Sequence, residues 1–308
     1  MGNFCKSERS AVISDQFNSF EELNEHLKSR GLESCQTLVA IDFTSSNNQH
    51  KSNDGLSLHH IDYKSEQPPG YDEDPETMKV RRQVTQTFTF TTAIELKEAQ
   101  KAMRALNPYQ YVMAVAGNEI EKFDSDRMIP TAIFGHNKKD KDPYVQEINE
   151  TPEGNYTING VIRAYENALR TYQLAGPTLF VPILEWAEQK VIQSGYKYHI
   201  LIIIGDGIIL DMQTTKMKLK ELNTIPLSII FVGVGDGSDP KEHDKWRSMK
   251  ELDNCPLGAI DTWQSVYLAN LKSQLEASSH PDVELALHMY MEIPDQYNAF
   301  KQRELIRS

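Results

Sequence analysis

Three apolar runs predict the buried strands of this chain. They cover residues 38–41, 201–204 and 227–234, and polar positions hardly interrupt them. Continuous apolar runs are typical of parallel strands that are covered on both faces, whereas a half-exposed strand alternates polar and apolar residues. Residues 128–134 form a fourth predicted strand.

Helical spacing of apolar residues predicts the layers that cover these strands. A capping box at Ser19 starts a helix that Gly31 ends. A further helix contains the Asn-Pro-Tyr sequence at 107–109, and Pro294 interrupts the last segment. The other predicted helices cover residues 159–174, 180–193, 262–275 and 281–303. Strands and helices that alternate in this way predict an α/β fold, with a mostly parallel central sheet and helices on both faces.

Size and charge narrow the classes of function. At 308 residues the chain is long enough for one enlarged domain, and its net charge of -12 disfavours a nucleic-acid or anionic-membrane surface. No apolar run reaches the length of a membrane span, and no signal-peptide core follows Met1. Cys5, Cys35 and Cys255 form no C-x-x-C pair, so neither a zinc framework nor a disulfide scaffold is expected. These features favour a cytoplasmic protein.

Oxygen-bearing side chains follow the first predicted strand at alternate positions. Asp42, Thr44 and Ser46 form a D-x-T-x-S pattern, and residues two apart on an extended chain face the same way. One carboxylate and two hydroxyls suit a small hard cation that keeps several waters, such as Mg²⁺. Thr178 stands in a small-residue turn, and Asp206 follows the strand at 201–204. The carboxyl ends of parallel strands are where an open α/β sheet binds ligands.

Four ordered motifs resemble one family. They are I-D-F-T-S-S-N at 41–47, L-A-G-P-T at 174–178, P-L-S-I-I-F-V-G-V-G-D-G at 226–237 and M-E-I-P-D-Q-Y at 291–297. The first two, with the Asp-Gly at 206–207, resemble the metal-ion-dependent adhesion site of von Willebrand factor A domains. The whole set is similar to the copine-type A domain, and most similar to the form found in plant RING-type ubiquitin ligases. The resemblance covers residues 17–303 apart from about 50–106.

This resemblance implies a Rossmann-like A domain and a role for each candidate ligand. Asp42 would face the ion or hold its waters, while Thr44 and Ser46 would ligate through their hydroxyls. Thr178 would ligate when an acidic group of a partner protein completes the shell. Asp206 would ligate or accept from a coordinated water. Mg²⁺ is the expected ion, with Mn²⁺ or Ca²⁺ as alternatives.

The expected domain organisation has two parts, a tail and one enlarged domain. Residues 1–15 are a polar tail in which Gly2 and Cys5 are candidate lipidation sites, so membrane association is expected only if the tail is modified. Residues 16–308 form the A domain, with an insertion at about 62–106 and a C-terminal helical segment at 281–303. The insertion is either a disordered surface loop or a partly ordered segment, and the Thr/Phe alternation of 83–92 favours order, as an edge strand or a partner-binding β-segment.

Catalytic interpretations are disfavoured. An aspartyl-phosphate enzyme of the haloacid-dehalogenase pattern needs a second Asp two residues after Asp42, where Thr44 stands. The glycines at 233, 235 and 237 lack the G-x-G-x-x-G spacing of a dinucleotide loop. No histidine stands in a nucleophile-elbow context, and His59, His60 and His243 are interpreted as surface residues.

The three tryptophans, Trp186, Trp246 and Trp263, are expected in the core or at an interface.

The leading functional hypothesis is a non-catalytic module that binds proteins through its ion site. One alternative is a scaffold component of a larger assembly, for example a cytoskeletal one, with a degenerate ion site, since His136-Asn137 stand where the resembling family has the Asp of an F-x-F-G-D turn. Another is an adaptor in ubiquitin ligation without a RING, because no Cys/His-rich RING follows Pro294 and ligase activity is therefore not expected. Location at a membrane surface or on the cytoskeleton is the alternative to a purely cytoplasmic one.

Overall fold

A computed structural model describes residues 17–48, 57–61, 106–137, 144–235, 249–253 and 258–307. The predicted insertion at 62–106 lies outside this range except for its last residue, Leu106. Gly2, Cys5, His243 and Trp246 lie outside it as well, so the predictions for those residues remain untested.

Within the described residues, six strands form the central sheet and two form a small ribbon. In chain order the strands are β1 (Gln36–Asp42), β2 (Met128–Ile129), β3 (Thr131–Phe134), β4 (Val145–Glu147), β5 (Asn155–Tyr156), β6 (His199–Gly205), β7 (Leu227–Gly233) and β8 (Trp263–Tyr267). The central order is β4-β3-β1-β6-β7-β8. Only β4 runs antiparallel to its neighbour, while β2 and β5 pair as the antiparallel ribbon. The predicted mostly parallel sheet is therefore confirmed.

Helices cover both faces of this sheet. They are α1 (Phe20–Ser29), α2 (Pro108–Ile120), α3 (Thr157–Thr171), α4 (Val181–Gln193), α5 (Met212–Leu222), α6 (Leu268–Ala277), α7 (Pro281–Tyr290) and α8 (Ile293–Gln302). A short 3-10 turn, Ser45–Asn48, follows β1. None of the helices in the described ranges is long and apolar enough to cross a membrane.

Alternate residues of β1 belong to two separate hydrophobic cores. Val39 and Ile41 pack in a cluster with residues of α1, α2, α3, α7 and α8. Leu38 and Ala40 pack in the other cluster, with residues of α4 and α5. Successive side chains of a strand point to opposite faces, so a strand that is apolar at every position needs a core on each side. The sheet is thus the middle of three layers, as the apolar runs predicted.

Two predicted elements differ in the structure. Residues 262–275 were expected to be one helix, but the segment begins as strand β8 and becomes helical only at Leu268. The aromatic and β-branched residues of β8 favour a strand, and β8 pairs in parallel with β7. The predicted strand at 128–134 is divided at Pro130, because proline cannot donate to a ladder, and its two parts belong to different sheets.

The C-terminal helical segment breaks where proline predicted a break. Tyr290 ends α7, and Pro294 lies in the first turn of α8. Proline is tolerated there because the first N–H groups of a helix have no intrahelical partner. Trp186 and Trp263 are both buried, as expected.

Candidate metal centre

The candidate ligands lie at the carboxyl edge of the two central strands. Asp42 is the last residue of β1, and Asp206 directly follows β6, which pairs with β1. Thr44 and Ser46 lie in the turn after β1. The parallel pairing therefore brings together residues from two distant parts of the chain, at the edge where ligands of open α/β sheets bind.

The turn after β1 holds its two hydroxyl groups side by side. The Asp42 carboxylate accepts the backbone N–H of Thr44 at 2.8 Å. The Thr44 and Ser46 hydroxyl oxygens are 2.9 Å apart, and either can donate to the other. Adjacent ligands of an octahedral ion with bonds of 2.0–2.1 Å are also about 2.9 Å apart. The two hydroxyls thus already have the spacing that a Mg²⁺ ion requires of neighbouring ligands.

Two buried carboxylates lie beside these hydroxyls. Burial, and to a smaller extent the neighbouring Asp206 carboxylate, raise the pKa of Asp42 from 3.8 to about 7. Hydrogen bonds from Thr44 and from the backbone N–H of Asp206 act in the opposite direction and lower that pKa. In the described part of the chain, no lysine or arginine contributes to the shift. A bound divalent cation would stabilise both charged carboxylates at once.

Backbone hydrogen bonds attach the Thr178 loop to the turn after β1. The Ala175 N–H donates to the carbonyls of Phe43 at 3.0 Å and of Gly135 at 2.9 Å. The Ala175 carbonyl accepts the Ser45 N–H at 2.7 Å. Thr178 itself is buried, and its carbonyl accepts the N–H of Leu210 at 3.0 Å. The loop is therefore bonded to the turn that carries Thr44 and to the loop that follows Asp206.

Asp211, to which the sequence motifs assign no role, strengthens the attachment of the Thr178 loop to the loop after Asp206. Its two carboxylate oxygens accept the N–H groups of Phe180 at 2.9 Å and Val181 at 3.0 Å. A carboxylate in this position satisfies free donors at the start of α4 and interacts favourably with the helix dipole. The available signal was an Asp just before a helical segment, which is a general helix-start pattern.

His59 is buried beneath the site, so its interpretation as a surface residue is wrong, whereas the neighbouring His60 is exposed. The imidazole Nε2 lies 2.9 Å from the backbone oxygen of Asp42, and Nδ1 lies 2.8 Å from the Tyr165 hydroxyl. Burial lowers the pKa of His59 to about 3, which keeps the ring neutral. Nothing in the local sequence distinguishes this histidine from a surface one, because its partners are distant in the chain.

Asn47 fixes the end of the turn in a similar way. Its side-chain amide donates to the Thr44 carbonyl at 3.1 Å, and its side-chain oxygen accepts the Tyr109 hydroxyl at 2.6 Å. The residue is fully buried. Both Asn47 and Tyr109 stood in motifs noted in the sequence, but those motifs gave neither residue a role.

Gly205, the last residue of β6, and Gly135, directly after β3, leave room for the site. A Cβ at Gly205 would lie 3.0 Å from the Asp42 carboxylate oxygen Oδ2. A Cβ at Gly135 would lie 2.2 Å from Thr44 Cγ2, and Gly135 also has a φ of +74°. The next residue, His136, is buried with its ring 5.1 Å from that of Tyr172. A histidine with an aromatic neighbour thus replaces the aspartate of the resembling pattern.

The donor set fits a weakly held hard cation. Within the described ranges, no group of three or more His, Cys, Asp or Glu side chains could hold a metal ion. Ligation would instead combine two carboxylates with hydroxyl oxygens and waters. Mg²⁺ accepts such a set because it keeps several of its waters, and so few protein charges give weak binding.

Comparison with known proteins identifies the family. A family model described as Copine matches residues 100–308, which is more than half of the chain. The chain belongs to the copine family. The copine match begins at residue 100, after the turn that carries Asp42. The family model therefore does not cover that turn, and the case for a metal site there depends on the geometry described above and on the similarity to individual relatives.

Curated relatives extend the copine similarity over nearly the whole chain. The E3 ubiquitin-protein ligase RGLG1 of Arabidopsis thaliana is 32% identical over 317 residues, which cover 97% of this chain and 54% of the ligase. RGLG2 of the same plant is 31% identical, over 96% of this chain and 56% of its own length. Copine family protein 2 of Caenorhabditis elegans is 28% identical, over 94% of this chain and 3% of its own length. The chain thus spans little more than half of the length of RGLG1 and of RGLG2.

Two of the similar solved structures overlap with this chain only loosely. The manganese-loaded TRAP protein of Plasmodium vivax gives a TM-score of 0.40 at 11% identity, over 79% of this chain and 72% of that one. A von Willebrand factor type A protein from Catenulispora acidiphila gives 0.39 at 9% identity, over 83% and 43%.

Proposed function

We propose that this chain is a protein-interaction module that binds an acidic group of its partner through a divalent cation. Asp42, Thr44, Ser46, Thr178 and Asp206 would hold Mg²⁺, or Mn²⁺ or Ca²⁺ in its place. The bound ion would act as a Lewis acid that accepts a carboxylate oxygen of the partner. The protein would act in the cytoplasm, and at a membrane only if its N-terminal tail is lipidated.

The observation that carries this proposal is the spacing of the two hydroxyls beside the two carboxylates. The oxygens of Thr44 and Ser46 are 2.9 Å apart, next to Asp42, whose burial is otherwise unfavourable for its charge. Burying two interacting carboxylates costs free energy unless a cation or protons neutralise them. An ion site explains why the fold retains both of them.

A binding role fits this site better than a catalytic one. Thr44 occupies the position where an aspartyl-phosphate enzyme would need its acid/base residue, and its N–H donates to the Asp42 carboxylate at 2.8 Å. His59 is neutral, and both of its ring nitrogens are engaged beneath the site. We therefore propose that the domain is not an enzyme.

Calorimetric titration of Mg²⁺ and of Mn²⁺ tests the ion site. We expect saturable heats with the wild type and none with Asp42→Ala, because that variant loses the carboxylate at the end of β1. Glu276→Ala serves as the control, since Glu276 is an exposed acid on α6 and should leave the binding heats unchanged. Equal heats from the wild type and Asp42→Ala would disprove the ion site.

Recovery of partners from native extracts separates the interaction module from a scaffold. Partners that an ion-completed contact holds should be lost in EDTA and should be absent with Asp42→Ala. Partners that remain in EDTA with both proteins would instead support a scaffold with a degenerate ion site. The observation that favours the scaffold is the buried His136, which replaces the aspartate of the resembling pattern.

A role in ubiquitin ligation is a second candidate, because RGLG1 and RGLG2 align with nearly all of this chain. The part shared with those ligases would then bind a substrate or regulator and not carry the ligase reaction. With this chain as the sole ligase, an in vitro assay should give no ubiquitin chains. Robust chain formation would contradict both this adaptor role and the proposal that the domain is not an enzyme.

A further inference from the structure

We propose that His59 is a positioning residue of the metal site, which holds the end of β1 in the conformation that presents the ligands of the turn. The inference rests on the proposed function, because the effect of positioning is measured as ion affinity. It assigns a role to a residue that supplies no ligand and that no sequence motif had marked.

A directed chain of hydrogen bonds fixes the imidazole. The Asp42 carbonyl can only accept, so Nε2 at 2.9 Å from it carries the ring hydrogen. Nδ1 is then the acceptor and receives the Tyr165 O–H at 2.8 Å. The Tyr165 oxygen in turn accepts the side-chain amide of Asn107 at 3.1 Å. The chain thus runs from the N-cap of α2, through α3, to the last carbonyl of β1.

Aromatic packing prevents the ring from turning. The imidazole is stacked on Tyr109, with centroids 4.1 Å apart and planes inclined by 18°. Phe43 packs against it with a centroid distance of 5.2 Å. A buried ring with both nitrogens bonded and its faces covered has one orientation, so the Nε2–H group points at one fixed place.

The segment that carries His59 contacts both ends of the metal-site turn. At the first end His59 bonds the carbonyl of Asp42. At the other end the Leu58 N–H and the Ser57 hydroxyl donate to the Asn47 carbonyl at 3.2 and 3.3 Å. Thr44 and Ser46 lie between these two anchors. The segment therefore holds the turn at both of its ends. The peptide that follows Asp42 sets the direction in which the turn leaves β1.

Two isosteric variants separate positioning from general stability. His59→Gln places an amide N–H near the position of Nε2 and can still donate to the Asp42 carbonyl. His59→Asn places an amide near the position of Nδ1 and cannot reach that carbonyl. Both variants lose the ring that stacks on Tyr109, so they should unfold at similar denaturant concentrations in EDTA.

Mn²⁺ binding, measured by calorimetry and by the electron paramagnetic resonance of the ion, is the readout. Groups that orient a metal site indirectly typically change affinity by about 10–100-fold. We therefore expect His59→Asn to bind Mn²⁺ at least ~10-fold more weakly than the wild type, and His59→Gln to stay within ~3-fold of it. Rescue by Gln alone would show that the donor to Asp42, and not ring packing, sets the affinity.

The remaining outcomes are also decisive. If the wild type binds Mn²⁺ and the two variants bind it with the same affinity as each other, the inference is wrong and the proposed function stands. If the wild type binds no Mn²⁺, the proposed function fails, and the inference fails with it. If His59→Asn does not fold, Tyr165→Phe replaces it, because it removes only the hydroxyl that orients Nδ1. Wild-type affinity in Tyr165→Phe would then overturn the inference.

Discussion

The side-chain amide of Asn24 on α1 donates to the buried carboxyl of Glu119 on α2 at 3.1 Å. The second carboxyl oxygen of Glu119 and the amide oxygen of Asn24 have no hydrogen-bond partner within the described residues. Burial raises the pKa of Glu119 from 4.5 to about 8, with a smaller upward contribution from Glu21. Lys122 and Lys28 oppose that rise. A proton on Glu119 is therefore part of the folded state near neutral pH.

Glu119 should make the stability of the protein depend on pH. The folded state holds a proton that the unfolded chain releases near pH 4.5, so the free energy of unfolding should fall as the pH rises from about 4.5 to beyond 8. Glu119→Gln mimics the protonated acid and should be more stable than the wild type at pH 9, by roughly 2 kcal/mol. Urea denaturation at pH 5, 7 and 9 measures the effect.

Glu25→Gln is the control for this experiment, because Glu25 is an exposed acid on α1. It should follow the wild-type dependence on pH. A Glu119→Gln profile that is no flatter than that of Glu25→Gln would contradict the assignment of the proton to Glu119.

Asp211→Asn should destabilise the fold and weaken ion binding together. The variant keeps one oxygen acceptor for the two N–H groups at the start of α4 and loses the charge that interacts with the helix dipole. We expect a loss of about 1–2 kcal/mol in the free energy of unfolding, and weaker Mn²⁺ binding because the Thr178 loop precedes this helix. Glu185→Gln, on an exposed position of α4, should change neither quantity. Full ion affinity in Asp211→Asn would show that Thr178 needs no such support.

Gly117→Ala should be destabilising although alanine favours helices. The substitution gains about 1 kcal/mol of helix propensity, but the new Cβ would lie 2.3 Å from the Cβ of Ile158 on α3. The two helices would have to separate, which typically costs about 1–3 kcal/mol or more. Gly160→Ala is the matched control, because its nearest neighbour would be Asn155 Cβ at 3.3 Å. A thermal melt in which Gly117→Ala is at least as stable as Gly160→Ala would contradict the close approach.

Glu147 and Trp186 should be energetically coupled. The Trp186 Nε1–H donates to the Glu147 carboxylate at 2.7 Å and so joins edge strand β4 to helix α4. Hydrogen bonds to charged groups contribute about 1.5–3 kcal/mol. In a double-mutant cycle, Glu147→Ala should therefore cost on the order of 1 kcal/mol less in a Trp186→Phe background than in the wild type. The four free energies of unfolding come from urea denaturation, and additive changes would mean that the bond contributes nothing.

The sequence predicted the sheet well where burial alone decides the structure. Strands β1, β6 and β7 are apolar at nearly every position because both of their faces are covered, and that pattern is unambiguous. Strand β8 was missed because its five residues adjoin a helix, and its partner β7 lies far away in the chain. Short elements of this kind are decided by tertiary pairing, which local periodicity does not contain.

In the candidate site, too, the sequence predicted the residues that a local pattern marks and missed those that tertiary contacts place. Asp42, Thr44 and Ser46 were predicted together because their spacing along one strand end is itself the signal. His59 acts through the backbone of Asp42, 17 residues away, and Asn47 depends on a tyrosine of a different helix. Such supporting residues carry no motif, since their identity follows from contacts that only the folded chain creates.

The parallel pairing of β1 with β6 has a consequence for the order of events in folding. More than half of the chain lies between Asp42 and Asp206, so the two carboxylates meet only after a long crossover has closed. Non-local pairings of this kind form slowly, and a site that does not exist in the unfolded chain cannot help to nucleate it. Ion uptake would therefore be a late kinetic event. In stopped-flow experiments, added Mn²⁺ would lower the rate of unfolding and leave the rate of refolding unchanged.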